Sequence, residues 1–270
     1  MLTLSSSPDF SHIPPQKFIQ DAKKEKHILD YQPAEVVDIA IQALQNVNVK
    51  LIEWRALLYR RMNVPVRVIN YSYVVPDDDL EGASSILARL GLPLSSPSKV
   101  ILKATGDFAA QGRYHRITQT TLSSGVQHLV LYPLSFSTLS FSEVTLEAPF
   151  HIQPSVRCTK IYVPPPPVLY ASIIRMMLRY PRYCSTRTGL QSDLSELVDY
   201  HLLCLEGGYV DSEDDELWED LQIEQRISDA VFKVLHWDQE WREGEEWIGD
   251  ALAAVVRGTV DIDDLPDNSS

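Results

Sequence analysis

Asn63-Val64-Pro65-Val66-Arg67-Val68-Ile69-Asn70-Tyr71-Ser72-Tyr73-Val74-Val75-Pro76-Asp77-Asp78-Asp79-Leu80 is the stretch whose reading decides the fold. Val66 to Val75 is rich in Val, Ile and Tyr and lies between prolines, the composition and borders of a strand. Asp77 and Asp78 are residue types that start helices, and the Asp77-Asp78-Asp79 run reads as a helix N-cap rather than a metal cluster. Leu80, Ala83, Leu87 and Leu90 then recur at helical spacing until Gly91 closes the segment. Upstream, Leu51-Ile52-Glu53-Trp54-Arg55-Ala56-Leu57-Leu58-Tyr59 predicts a helix over 53–62 that stops before Pro65. An earlier helix is predicted from Pro33, because proline suits a first turn and Val37, Ala40, Ile41, Leu44 and Val47 make one apolar stripe.

Downstream the chain alternates short extended runs with Ser, Gly and Pro clusters. Strands are predicted at 99–103, 113–118, 127–132, 144–147 and 158–163. Pro164-Pro165-Pro166-Pro167 is a stiff entry into a helix from near Val168, and further helices are predicted over 190–206, 216–236 and 245–257. There is no internal repeat. The fold class is therefore α+β, a mixed sheet flanked by helices with a helical, acidic C-terminal part. The expected organisation is an N-terminal arm over 1–32, an α+β core over 33–163, a helical region over 164–260 packed on it, and a flexible tail over 261–270.

The 270 residues carry 24 Lys and Arg against 37 Asp and Glu, a net charge of −13. The imbalance is local: residues 207–270 hold 19 acidic and 4 basic side chains, whereas 1–206 hold 18 and 20. An acidic quarter of that kind repels phosphate backbones, so no nucleic-acid partner is expected there. It reads as a solvated helical face, and the partner it would suit is a basic protein docking on 207–270. Trp218, Trp237, Trp241 and Trp247 lie in the same segment and predict the packing that holds it to the body. No run approaches a membrane span, no secretory leader is recognised, and three scattered cysteines make neither a disulfide framework nor a zinc site. A reducing, cytoplasmic setting is the expectation.

Taken in order, these residues resemble the opening of the nucleotidyltransferase-like fold, in the branch of antitoxin-paired and aminoglycoside-type transferases. The resemblance covers about residues 33–205 and is densest over 51–91. It includes Leu129-Val130-Leu131-Tyr132-Pro133 as a later core strand and Arg187…Asp193-Leu194-x-x-Leu197 as a helix. In that family a glycine pair opens the first helix and cradles phosphate. Two Asp two residues apart on the strand, with a third carboxylate next door, hold Mg²⁺. Here the resemblance puts Asn70 and Ser72 at the paired positions, Val130 at the third, and Ile52, Glu53 and Trp54 in place of the glycines. Neutral oxygens are poor Mg²⁺ ligands, valine is none, and Glu53 would repel phosphate.

The resemblance therefore implies a catalytically inactive relative, a binding or scaffold module with no catalytic residue, metal or cofactor. One alternative is an active nucleotidyltransferase with displaced ligands, for which Glu143 and Glu147 are the nearest acidic candidates. Another is an unrelated α+β interaction module. The remaining constellations are weaker. Asp211 to Gln222 has Glu216 where a calcium loop needs glycine, and Cys184 among Arg179, Arg182 and Arg187 has no neighbouring His. His115, His128 and His201 stand beside no nucleophile motif, and Gly106 and Gly112 are followed by no Gly-Lys-Ser.

Overall fold

The structure, a computed structural model, describes residues 26–122, 125–211, 213–237 and 241–267. Most of the proposed N-terminal arm and the last three residues of the tail lie outside these. The elements run α1 (Pro33–Gln45), β1 (Ile52–Trp54), α2 (Ala56–Arg61), β2 (Asn70–Val75), α3 (Leu80–Arg89), β3 (Leu94–Ser95), α4 (Lys99–Thr105), α5 (Asp107–Ala110), β4 (Arg113–Arg116), β5 (His128–Pro133), α6 (Leu134–Ser137), β6 (Thr145–Glu147) and β7 (Ile161–Val163). The helical part follows: α7 (Pro166–Met177), α8 (Ser185–Leu197), α9 (Asp215–Asp220), α10 (Ile223–Leu235) and α11 (Trp247–Val256). This is an α+β architecture around one mixed sheet of seven strands, ordered β3-β4-β5-β2-β1-β7-β6.

β2 and β5 form the middle of the sheet and run parallel, with Asn70 opposite His128, Ser72 opposite Val130 and Val74 opposite Tyr132. Tyr73, Val74 and Val75 are fully enclosed, as are Leu129, Val130 and Leu131. A central parallel pair is covered on both faces, so its sequence reads as a nearly continuous apolar run. The strand expected over 66–75 begins only at Asn70, because β5 starts at His128 and offers residues 66–69 no ladder partner.

Two of the predicted elements change type over all or part of their length. The helix predicted over 53–62 forms only over Ala56–Arg61, as α2, and its first two residues belong instead to the strand β1. Ile52 and Trp54 pair with Val74 and Ser72 of β2, and Arg55 breaks the chain out of the strand at φ 54°. The strand predicted over 99–103 is a helix, α4, in which the Ser98 hydroxyl accepts the Ile101 N–H. Its Val100 and Ile101 side chains stand largely in solvent, 76% and 48% exposed, so no sheet face claims them.

The acidic segment folds as α9, α10 and α11. Its four tryptophans are half-buried against the core, with Trp237 between Tyr170 and Trp241 at ring separations of 5.7 and 6.1 Å. The carboxylates of Asp215, Glu216, Glu219 and Asp220 point out, whereas Glu245 turns inward onto Arg175. Apolar contact thus offsets the self-repulsion of the segment. The polyproline run enters α7 at Pro166, the first-turn position. Asp77 does not cap α3 but accepts the Ser135 backbone and hydroxyl, tying the start of α3 to α6. The tail, expected to be flexible from 261, forms a short 3₁₀ turn over Ile262–Asp264 and buries Leu265. The three cysteines are free thiols, and among the described residues no helix is long and apolar enough to cross a membrane.

His201 gives a pH prediction. It lies in the π turn Val198–Leu202 that continues α8, with Nδ1 3.1 Å from the Tyr170 hydroxyl, and burial, helped by Lys233, lowers its pKa to about 4. The unfolded histidine takes up its proton near pH ~6.5. The folded state therefore lags the unfolded state in proton binding, and this part of the stability is complete above pH ~6.5 and lost as pH falls toward about 4. In His201→Gln the dependence of the urea midpoint on pH should flatten across that window; an unchanged slope would refute the assignment.

Candidate functional site

The open face of β4, β5 and β2 forms the floor of a cavity of about 1080 Å³, bordered by α4, α8 and the 93–98 segment that carries β3. Strand alternation and the register decide what reaches it. Asn70, His128 and Arg116 form one row across three strands, and Ser72, Val130 and Tyr114 the next. Asn70, Ser72, Tyr114, Arg116, His128 and Tyr132 line the cavity; Val130 lies beneath, fully buried. The floor is fixed by hydrogen bonds. Tyr114 and Tyr132 both donate to the Phe108 carbonyl at 2.8 Å, and Trp54 meets Tyr132 edge-on at 4.8 Å.

Two glycines give the cavity its shape. A Cβ on Gly106, at φ +56°, would stand 2.3 Å from Thr186 Oγ1, so glycine lets the α4–α5 corner close onto α8, where Thr186 accepts the Asp107 N–H. A Cβ on Gly112 would meet Tyr114 at 2.7 Å and Val130 at 2.9 Å, and its absence leaves space for the tyrosine rings.

The electrostatics run against the charge of the chain. Arg55, Arg67 and Arg116 line the cavity, and among the described residues no Asp or Glu does. Arg55 is neutralised from behind by Asp193, 3.3 Å away, and lies 3.9 Å over the Phe108 ring. Arg116 donates to the Gln119 carbonyl at 2.8 Å but has no ion pair among the described residues, and Arg67 is exposed with neither. His128, with Nδ1 3.3 Å from Asn70 Oδ1, is held neutral by burial and by the Arg116 charge, its pKa below the ordinary histidine value.

The structure brings Asn70, Ser72 and Val130 together and leaves Glu53 apart. Glu53 is not at a helix start. It sits in β1 opposite Tyr73, on the other face of the sheet, fully buried, where its carboxylate binds Arg61 twice and accepts the Phe150 N–H at 3.1 Å. Burial pushes its pKa up against the pull of Arg61. The acidic alternatives are engaged elsewhere: Glu143 binds Arg242 and Arg175, and Glu147, on the edge strand β6, faces Arg61. Among the described residues no three His, Cys, Asp or Glu stand close enough to hold a metal ion.

His115 points away from the cavity. Its Nδ1–H donates to the Leu92 carbonyl at 3.0 Å and Nε2 accepts from Ser84 at 2.9 Å, a satisfied core histidine. Cys184 is the N-cap of α8, its sulfur accepting the Arg187 N–H. The arginines are what the sequence reading missed. Tyr114 and Arg116 share a face by alternation, but only the β4–β5 register sets Arg116 beside His128. Comparison with known proteins adds no relative: no protein-family model, no curated protein and no solved structure matches this chain.

Proposed function

We propose that the chain is a non-catalytic member of the nucleotidyltransferase-like fold that acts as a binding module. One observation carries the reading. Asn70 and Ser72, the positions the resemblance matches to metal-holding aspartates, are neutral and line a large cavity whose charged side chains, among the described residues, are arginines. Two Mg²⁺ ions need anionic ligands set close together, and charge stabilisation by such ions is the largest part of this kind of catalysis. A lining with three guanidinium groups and, among the described residues, no carboxylate repels a cation instead. The parallel β2–β5 pair at the middle of a mixed sheet supports the fold assignment, and the engagement of Glu143 and Glu147 with arginines away from the cavity argues against displaced ligands.

The test is calorimetry and turnover with each nucleoside triphosphate plus Mg²⁺ or Mn²⁺. Neither metal-dependent binding nor a transfer product is expected. Micromolar binding that needs the metal, or a product abolished by Glu143→Ala or Glu147→Ala, would overturn the reading in favour of an active transferase.

A further inference from the structure

We infer that the cavity binds an organic anion made of a planar apolar body and a single anionic head, taken up without a metal ion; this rests on the non-catalytic reading above. Three observations converge. The first is charge. Arg67 and Arg116 face the cavity without a carboxylate partner among the described residues. Two guanidinium groups without a carboxylate at one concave site mark a place where an external anion completes the pairing, and guanidinium is the side chain best suited to a phosphate or carboxylate.

The second observation is the apolar lining. Ile69, Leu94, Ile101 and Tyr183 border the cavity and are 53%, 58%, 48% and 90% exposed. Large apolar side chains scattered singly on a surface need no explanation, but four around one concavity do, and a bound apolar body would cover them. The Tyr114 ring on the floor offers a flat face for stacking. The third is size and polarity. About 1080 Å³ is just above the usual range of small-molecule sites, and the rest of the polar lining includes neutral groups, the Ser72, Ser98 and Thr188 hydroxyls and the Asn70 amide. A bare inorganic ion would leave most of that space and the apolar rim unused.

Anilinonaphthalene sulfonate, a fluorescent ring sulfonate, is the probe, titrated into the full chain in the presence of EDTA. One molecule should bind per chain. 1-Naphthyl phosphate and 1-naphthoate compete to decide whether the head is a phosphate or a carboxylate, and neutral 1-naphthol reports the apolar contribution alone. At least one anion should displace the probe about tenfold better than naphthol, and Arg67→Ala should weaken that anion by about tenfold, the value of one charge-assisted contact. Arg67 is exposed and has no partner among the described residues, so the variant should keep the wild-type unfolding midpoint; Arg116→Ala is the second variant. The proposal is overturned if the probe finds no single site, if naphthol competes as well as both anions, or if both arginine variants bind like the wild type. None of these results would touch the non-catalytic reading, which fails only on metal-dependent binding or turnover.

Discussion

Arg187→Ala is expected to lower the stability by at least about 4 kcal/mol and to release the C-terminal segment from the body. Arg187 lies in the first turn of α8 and is completely enclosed. Its Nη1 donates to the Met177 carbonyl at 2.7 Å and the Pro266 carbonyl at 3.0 Å, and its Nη2 to the Leu265 carbonyl at 2.6 Å. One guanidinium thus satisfies the end of α7, at Met177, and the turn after Asp264, at Leu265 and Pro266, at once. Alanine removes every one of those bonds, strands the buried Met177 and Leu265 carbonyls at about 1–3 kcal/mol each, and leaves a cavity the backbone cannot fill. Against the 5–15 kcal/mol typical of whole domains, the loss brings the chain near its unfolding midpoint. Urea unfolding measures the change, and limited proteolysis should cut first between α11 and the terminus. Deleting residues 262–270 should cost nearly as much as the substitution, and the two together little more than either, because both break the same bonds. Additive effects would show that Arg187 acts through something else.

The helical stripes and the central strands were legible in the sequence because each carries its own signal. Val37, Ala40, Ile41 and Leu44 face one way and bury as α1, and the β-branched run ending at Pro76 supplies β2. Residues 52–54 misled because β1 is buried on both faces. With Ile52, Glu53 and Trp54 all enclosed, no alternation marks a strand, and the apolar spacing imitates a helix. Val100-Ile101-Leu102 misled in the opposite direction: its β-branched residues suit a strand, but Ser98 caps a helix there and no strand lies beside it to pair. The tail looked flexible because it is acidic and carries no stripe; its order comes from Leu265 and from Arg187, a partner about 80 residues away that local reading cannot find. The candidate site divides the same way. Asn70 and Ser72 could be placed on one strand face from alternation alone, whereas the arginines that set the cavity's charge come from a loop and two further elements that meet only through sheet register and the α4–α8 contact.

Glu53→Ala should cost about 3–5 kcal/mol while leaving binding at the cavity unchanged, which separates the two roles this residue could have. A glutamate at the phosphate end of the site, as the family resemblance implies, would weaken anion binding, and removing it would improve affinity with little effect on stability. The structure places it elsewhere. β1 aims Glu53 at the sheet face opposite Asn70 and Ser72, where Arg61 grips both its oxygens and also reaches the Ala148 carbonyl, and where the Phe150 N–H donates to it. That network fastens the 147–150 segment, and with it the edge strand β6, to the middle of the sheet. Alanine leaves the Arg61 charge, 15% exposed, without its main partner and the Phe150 N–H without an acceptor, and the cost of a buried pair broken on one side greatly exceeds the net value of the pair. Glu53→Gln keeps an acceptor for Phe150 and removes the charge, so its loss should be intermediate. Chemical denaturation measures the stabilities and fluorescence titration of the ring sulfonate under folding conditions measures the binding. A tighter ring sulfonate complex in Glu53→Gln, with stability intact, would return Glu53 to the phosphate position and reverse the assignment of the two sheet faces.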